Sequence, residues 1–171
     1  MLFPTVEFAI FFAVVLTLNW VLVNRSLPWK LTMLAASYVF YAAWDARFVL
    51  LLVASSVVNH AAGRGLARID DERRRRLVVA GAVTANLGLL GWFKYYGFFV
   101  SSAVNALDAL GLSAPLPLLE IVLPVGISFF TFQALSYVID VYRRELAPAP
   151  LLDVAIFLAF FPQLVAGPIV R

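Results

Sequence analysis

This sequence predicts an all-α integral membrane protein, with about six transmembrane or re-entrant helices. Three observations predict it. Hydrophobic residues make up 63% of the 171 residues and charged residues only 13%, about half the charge of a soluble domain. The apolar residues come in continuous runs of near-spanning length. The basic residues gather in the short polar stretches between those runs. In hydrocarbon the backbone must satisfy its own hydrogen bonds, which leaves helices or closed barrels. A barrel needs alternating strands of roughly ten residues, and these runs do not alternate.

The spans follow in order. The first is Val6–Val23. No Lys or Arg precedes it, so it reads as a retained span rather than a signal peptide. The stretch Leu31–Gly63 would extend roughly 50 Å as one helix, well beyond a ~30 Å core. "WDAR", Trp44–Arg47, places two charges near its middle, where charge is costly. Two short spans in a hairpin, 31–44 and 48–63, resolve both problems. Tyr38, Tyr41 and Trp44 suit an interfacial aromatic belt. After the polar "RGLARIDDERRRR" comes the span Leu77–Phe93, with small residues four apart at Gly81/Ala85 and Thr84/Gly88. Lys94 to about Pro117 reads as interfacial. The fifth span, Ile121–Ile139, carries Pro124 and Gly126, and proline kinks a helix. The last, 151–170, is broken by Pro162 and Pro168. All six belong to one transmembrane domain, 1–171.

Charge sets the orientation. With the N-terminus outside, Arg25 and Lys30, the six arginines between 64 and 76, and Arg143 with Arg144 all fall on the cytoplasmic side. These are ten of the thirteen basic residues, as the positive-inside rule asks.

The chemistry-bearing residues are few. There is no cysteine, which excludes disulfides, thiolate catalysis and Cys-ligated metals within this stretch. His60 is the single histidine. Ser56 shares its helical face, one turn back, but Ser55, Asn59 and Gly63 beside it make a helix-packing face the plainer reading. A lone histidine also makes a poor metal site. "DDERRRR" reads as a solvated loop and topology determinant. Attraction to anionic lipid is the sharper alternative, and the acids cancel much of it. Nucleic acid is a poor fit for so short a run between spans. Asp140 beside Arg143 reads as an interfacial ion pair closing a helix end, or as part of a cavity lining. "VGISFF" lacks the second glycine and the strand–turn–helix of a nucleophile elbow.

Four ordered motifs, "ASYVFYAAWDARFVLLL", "NLGLLGWFKYYGFF", "LPVGISFFTFQALSYVIDVYRRE" and "FFPQLVAGPIVR", together resemble the membrane-bound O-acyltransferase (MBOAT) family. The closest subgroup is that of bacterial alginate O-acetylation proteins. The resemblance covers nearly all of the chain. It implies a ring of helices around a tunnel, and transfer of an acetyl or similar acyl group from a thioester to a hydroxyl of an extracytoplasmic polysaccharide. The donor would be acetyl-CoA or an acyl carrier thioester, with no bound cofactor and no metal. It implies a bacterial inner-membrane location, a bilayer environment, and a periplasmic acetyltransferase as a partner. The family's key histidine lies in a later helix, in a Trp-His-Gly-type context that His60 does not match. No catalytic residue is therefore assigned, and the histidine is expected beyond Arg171. On this reading the chain is the amino-terminal part of the ring, inactive alone, and further helices of the same fold complete it. Pro124, Gly126, Pro162, Gly167 and Pro168 are candidates for shaping the tunnel, and Asp140 and Arg143 for its cytoplasmic mouth. A non-enzymatic membrane scaffold or transporter-like subunit is the alternative, since kinked spans suit transporters too.

Overall fold

The computed structural model of the chain describes residues 5–109, 124 and 126–166. Among these the backbone forms seven helices and no strand. They are α1 (Val6–Leu22), α2 (Ser26–Asp45), α3 (Arg47–Arg68), α4 (Glu72–Ala109), α5 (Ile127–Arg143), α6 (Leu151–Ala159) and α7 (Phe161–Ala166). Of these, α3 and α4 are long and apolar enough to cross a membrane.

Each break has a local cause. The Thr5 hydroxyl accepts from the Phe8 amide and opens α1, the usual role of threonine at an N-cap. The turn between α2 and α3 falls inside the Trp44–Arg47 stretch. There the Asp45 carboxylate accepts from the Arg47 amide at 2.9 Å. The start of α5 is later than the apolar pattern suggests. Pro124 precedes the helix rather than kinking it, and Gly126 caps it at φ 73°, a left-handed conformation that glycine adopts without strain. A Cβ on Gly126 would also lie 3.1 Å from the Leu164 carbonyl oxygen. The last apolar segment divides at Phe160. Pro162 has no N–H for the Leu158 carbonyl, and its ring would clash with that group. A new helix therefore begins, with the proline in its first turn, where no donor is needed.

The largest departure from the sequence pattern is α4. Its 38 residues extend about 57 Å. The helix runs through Lys94 and the tyrosines, which the pattern placed at a membrane edge. No proline interrupts residues 72–109, and an isolated glycine such as Gly97 costs only about 1 kcal/mol.

Helix α3 is central and packs against α2, α4, α5 and α6. One apolar cluster joins Tyr41, Phe48, Leu52, Leu90, Ile127 and Phe130 near the α2–α3 turn. A second joins Leu66, Ala82, Val138, Val141, Val154 and Leu158 toward the opposite end. A third locks α1 and α2 onto α7 through Val15, Met33, Phe40 and Phe161, with the Phe40 and Phe161 rings 5.2 Å apart. The first amide of α7, on Phe161, donates to the Ser37 hydroxyl. That hydroxyl in turn donates to the Met33 carbonyl.

The face of α4 that packs is not the one its glycines mark. Arg75, Ala82, Asn86 and Leu90 are the buried positions. Among the described residues, Gly81 and Gly88 have open space where a Cβ would stand. Close approach occurs instead at Gly63 of α3, where a Cβ would fall 2.6 Å from the Tyr137 hydroxyl. That hydroxyl accepts from the Ala149 amide at 3.2 Å, so it cannot move away freely. Gly63→Ala is expected to lower stability by about 1–3 kcal/mol, as overpacking does. In a Tyr137→Phe background the loss should shrink. Thermal unfolding of the four proteins in detergent, read as a double-mutant cycle, checks this.

Candidate functional site

Most of the basic residues lie at one end of the bundle, at the ends of α3 and α5 and the starts of α2 and α4. Lys30, at the start of α2, pairs with Asp153, at the start of α6. His60, late in α3, donates from Nδ1 to the Ala149 carbonyl at 3.0 Å. A carbonyl only accepts, so Nδ1 carries a proton. Ser56, the nearest hydroxyl in sequence, donates instead to the Leu52 carbonyl of its own helix at 2.7 Å. His60 therefore anchors the α5–α6 loop and forms no nucleophile–base pair with Ser56.

Arg75 organises this end. It is 3% exposed, whereas its neighbours in the arginine run lie in solvent. Its guanidinium donates to the Leu66 and Tyr142 carbonyls, in the last turns of α3 and α5. It also lies 5.5 Å from the centre of the Tyr142 ring. The Tyr142 hydroxyl donates to Glu72 at 2.7 Å, closing the circuit onto the first turn of α4. A cation at two converging helix C-termini satisfies orphan carbonyls and opposes their negative dipole ends. Beside it lies a groove of about 340 Å³, lined in part by Asp70, Arg75, Arg144 and Pro148.

Asp140 and Arg143, the candidate mouth residues, both reach this end, but among the described residues they form no ion pair. The end of α5 is closed by Arg144 in the left-handed conformation (φ 63°), with its amide donating toward the Asp140 and Val141 carbonyls. The Glu145 amide also donates to the Asp140 carbonyl at 3.0 Å. Arg143 is exposed.

The tunnel candidates separate. Pro124 is fully buried, Gly126 touches Leu164 of α7, and Pro162 lies in the first turn of α7. Gly167 and Pro168 lie outside the described residues.

Two buried polar features were not assigned from sequence. Asn59 and Asn86 exchange side-chain hydrogen bonds at 3.2 and 2.8 Å between α3 and α4. Both are almost wholly buried. Asn59 lies on the polar face read from the sequence, but nothing in the α4 pattern singled out Asn86. On α5, the Thr131 hydroxyl and both amide atoms of Gln133 are buried without a hydrogen-bond partner among the described residues. No group of three or more His, Asp or Glu side chains comes together among the described residues.

Fold and site together define an all-α membrane protein with one polar, arginine-clamped end. Its relatives are more specific. The chain is 43% identical over 146 residues to a probable alginate O-acetylase of Pseudomonas aeruginosa. It is 41% identical over 145 residues to the probable alginate O-acetylase of Azotobacter vinelandii. It is 34% identical over 167 residues to the peptidoglycan O-acetyltransferase of Helicobacter pylori. Each alignment covers 83% of this chain, but only 28%, 29% and 31% of the respective relative. The chain thus spans less than a third of the length of these proteins. No family model matches the chain, and no solved structure matches it. The relatives bear out the resemblance to the bacterial polysaccharide O-acetylation proteins that the four motifs carry.

Arg75 should differ sharply from the arginines beside it. Removing Arg75 strands buried carbonyls, so Arg75→Ala is expected to cost about 2–4 kcal/mol. Arg76→Ala, at an exposed ion pair, should stay within about 0.5 kcal/mol. Thermal or denaturant unfolding in detergent measures both.

Proposed function

We propose that the chain forms part of a membrane-bound O-acyltransferase that acetylates a hydroxyl of an extracytoplasmic polysaccharide, alginate-like or related. The observation that carries this is the 43% identity to an alginate O-acetylase over 83% of the chain. In the reaction the acceptor oxygen attacks the thioester carbonyl. The new C–O bond forms as the C–S bond breaks. A base takes the hydroxyl proton and the thiol leaves. The donor, acetyl-CoA or an acyl carrier thioester, approaches from the basic end of the bundle, and the acceptor from the other.

His60, the chain's only histidine, does not lie in the family's Trp-His-Gly-type context and is not assigned as the base. The chain alone therefore gives only background turnover, and helices corresponding to the rest of its relatives' length supply the base. The Pro124–Gly126 turn and Pro162 contribute to the tunnel wall. A proline-broken backbone at membrane depth suits a protein-buried pathway. Asp140 and Arg143 border the donor's mouth. The bilayer is the bacterial inner membrane, with the N-terminus outside and residues 64–76 cytoplasmic. A periplasmic acetyltransferase is a further partner on the acceptor side.

Two measurements test this reading. The chain has no native cysteine, so single substitutions can be labelled cleanly. In intact cells Arg74→Cys should resist a membrane-impermeant maleimide that labels Arg47→Cys, and the reverse pattern would overturn the orientation. Separately, this chain in place of the aligned region of the Pseudomonas aeruginosa enzyme should restore ester-linked acetyl groups to alginate. A stably inserted hybrid with no restored acetylation would overturn the functional reading.

A further inference from the structure

At the basic end, a half-buried groove of about 340 Å³ runs between the start of α2 and the outer side of α6 and α7. That volume falls in the range of small-molecule sites. Its mouth holds the Lys30–Asp153 ion pair, with side chains 34% and 33% exposed. Each partner can therefore still meet a ligand. Its lining is mostly apolar, with Trp29 beside the ion pair, Ile156 and Phe157 following Asp153 along α6, and Phe160 just past its end. Phe160 lies seven residues beyond Asp153, roughly 10 Å deeper along the helix axis. The groove therefore passes from charge to aromatic surface over the depth that separates a lipid headgroup from the top of its chains.

We propose that this groove binds a zwitterionic phospholipid, specifically one with an ethanolamine headgroup. The phosphate lies against Lys30, the ammonium against Asp153, and the upper part of one acyl chain on Phe157 and Phe160. Charge complementarity selects this occupant. An ion pair presents one cation and one anion side by side. A headgroup carrying one of each, laid antiparallel, puts every charge next to an opposite one. A purely anionic headgroup gains from Lys30 but is repelled by Asp153. A quaternary ammonium matches the charges but has no N–H to donate to the carboxylate, and charge-assisted hydrogen bonds are the stronger kind. The site requires this end of the bundle to lie at a membrane surface. It does not depend on the acyl-transfer reading.

The test uses the purified full chain, delipidated in mild detergent. It is offered equal amounts of phosphatidylethanolamine, phosphatidylcholine and phosphatidylglycerol with identical acyl chains. Native mass spectrometry reads the bound lipid. The expected order is ethanolamine over choline over glycerol, with ethanolamine about tenfold above glycerol, the effect of one charge-assisted contact. Lys30→Gln and Asp153→Asn should each abolish the preference. A photoreactive phenylalanine analogue at position 157 should crosslink to lipid. Equal retention of the three lipids by the unaltered chain overturns the proposal, as does no retention. So does a crosslink from position 157 to protein, whether to this chain or to a second copy. The comparison of lipids on the unaltered protein stands even if a variant fails to fold.

Discussion

Two apolar helices in lipid gain little by exchanging hydrocarbon for each other, so association depends on close packing and on polar groups that lipid cannot satisfy. The polar face of α3 meets that constraint, and the rest of the bundle is arranged around it. Asn59 bonds Asn86 of α4. His60 holds the loop before α6. Gly63 lets the Tyr137 ring of α5 come to contact distance. Each lies on one stretch of a single helix, and each recruits a different neighbour. The apolar clusters fill the space those contacts define.

A second constraint acts at the helix ends. Every interruption of a helix exposes backbone groups that hydrocarbon will not solvate. The chain meets this with particular side chains: the Ser37 hydroxyl at the Phe161 amide and Arg75 at the ends of α3 and α5. Left-handed residues do the same at Gly126 and Arg144. Arg75 is thereby removed from the pool of solvent-facing charges, although it sits in the middle of an arginine run. The result is a bundle with two unlike ends. One is clamped by ion pairs and a buried guanidinium. The other is closed by aromatic and aliphatic packing around Phe48 and Ile127.

Much of this was legible in the residues, and the misreadings are specific. The hairpin at Trp44–Arg47 followed from the cost of two charges in mid-span, and the α3 packing face followed from Ser55, Asn59 and Gly63. The reach of α4 did not, because Lys94 and the tyrosines read as a boundary while nothing in 94–109 stops a helix. Its glycines pointed to the wrong face: small residues at four-residue spacing permit close approach without requiring it. Pro124 read as a kink within a span because proline marks where hydrogen bonding fails. Whether a helix bends there or begins just beyond depends on the backbone of Gly126.

By itself the sequence determined that the chain is helical, where most of its turns fall, and that its basic residues collect in alternate connections. These follow from apolar run length, proline chemistry and the cost of burying charge, all of which act over a few neighbouring residues. Only the tertiary structure decided which arginine of four is buried, which asparagine Asn59 meets and what His60 holds. Those pairings join residues 67, 27 and 89 positions apart. They depend on how helices cross, a property that no local pattern of residues encodes.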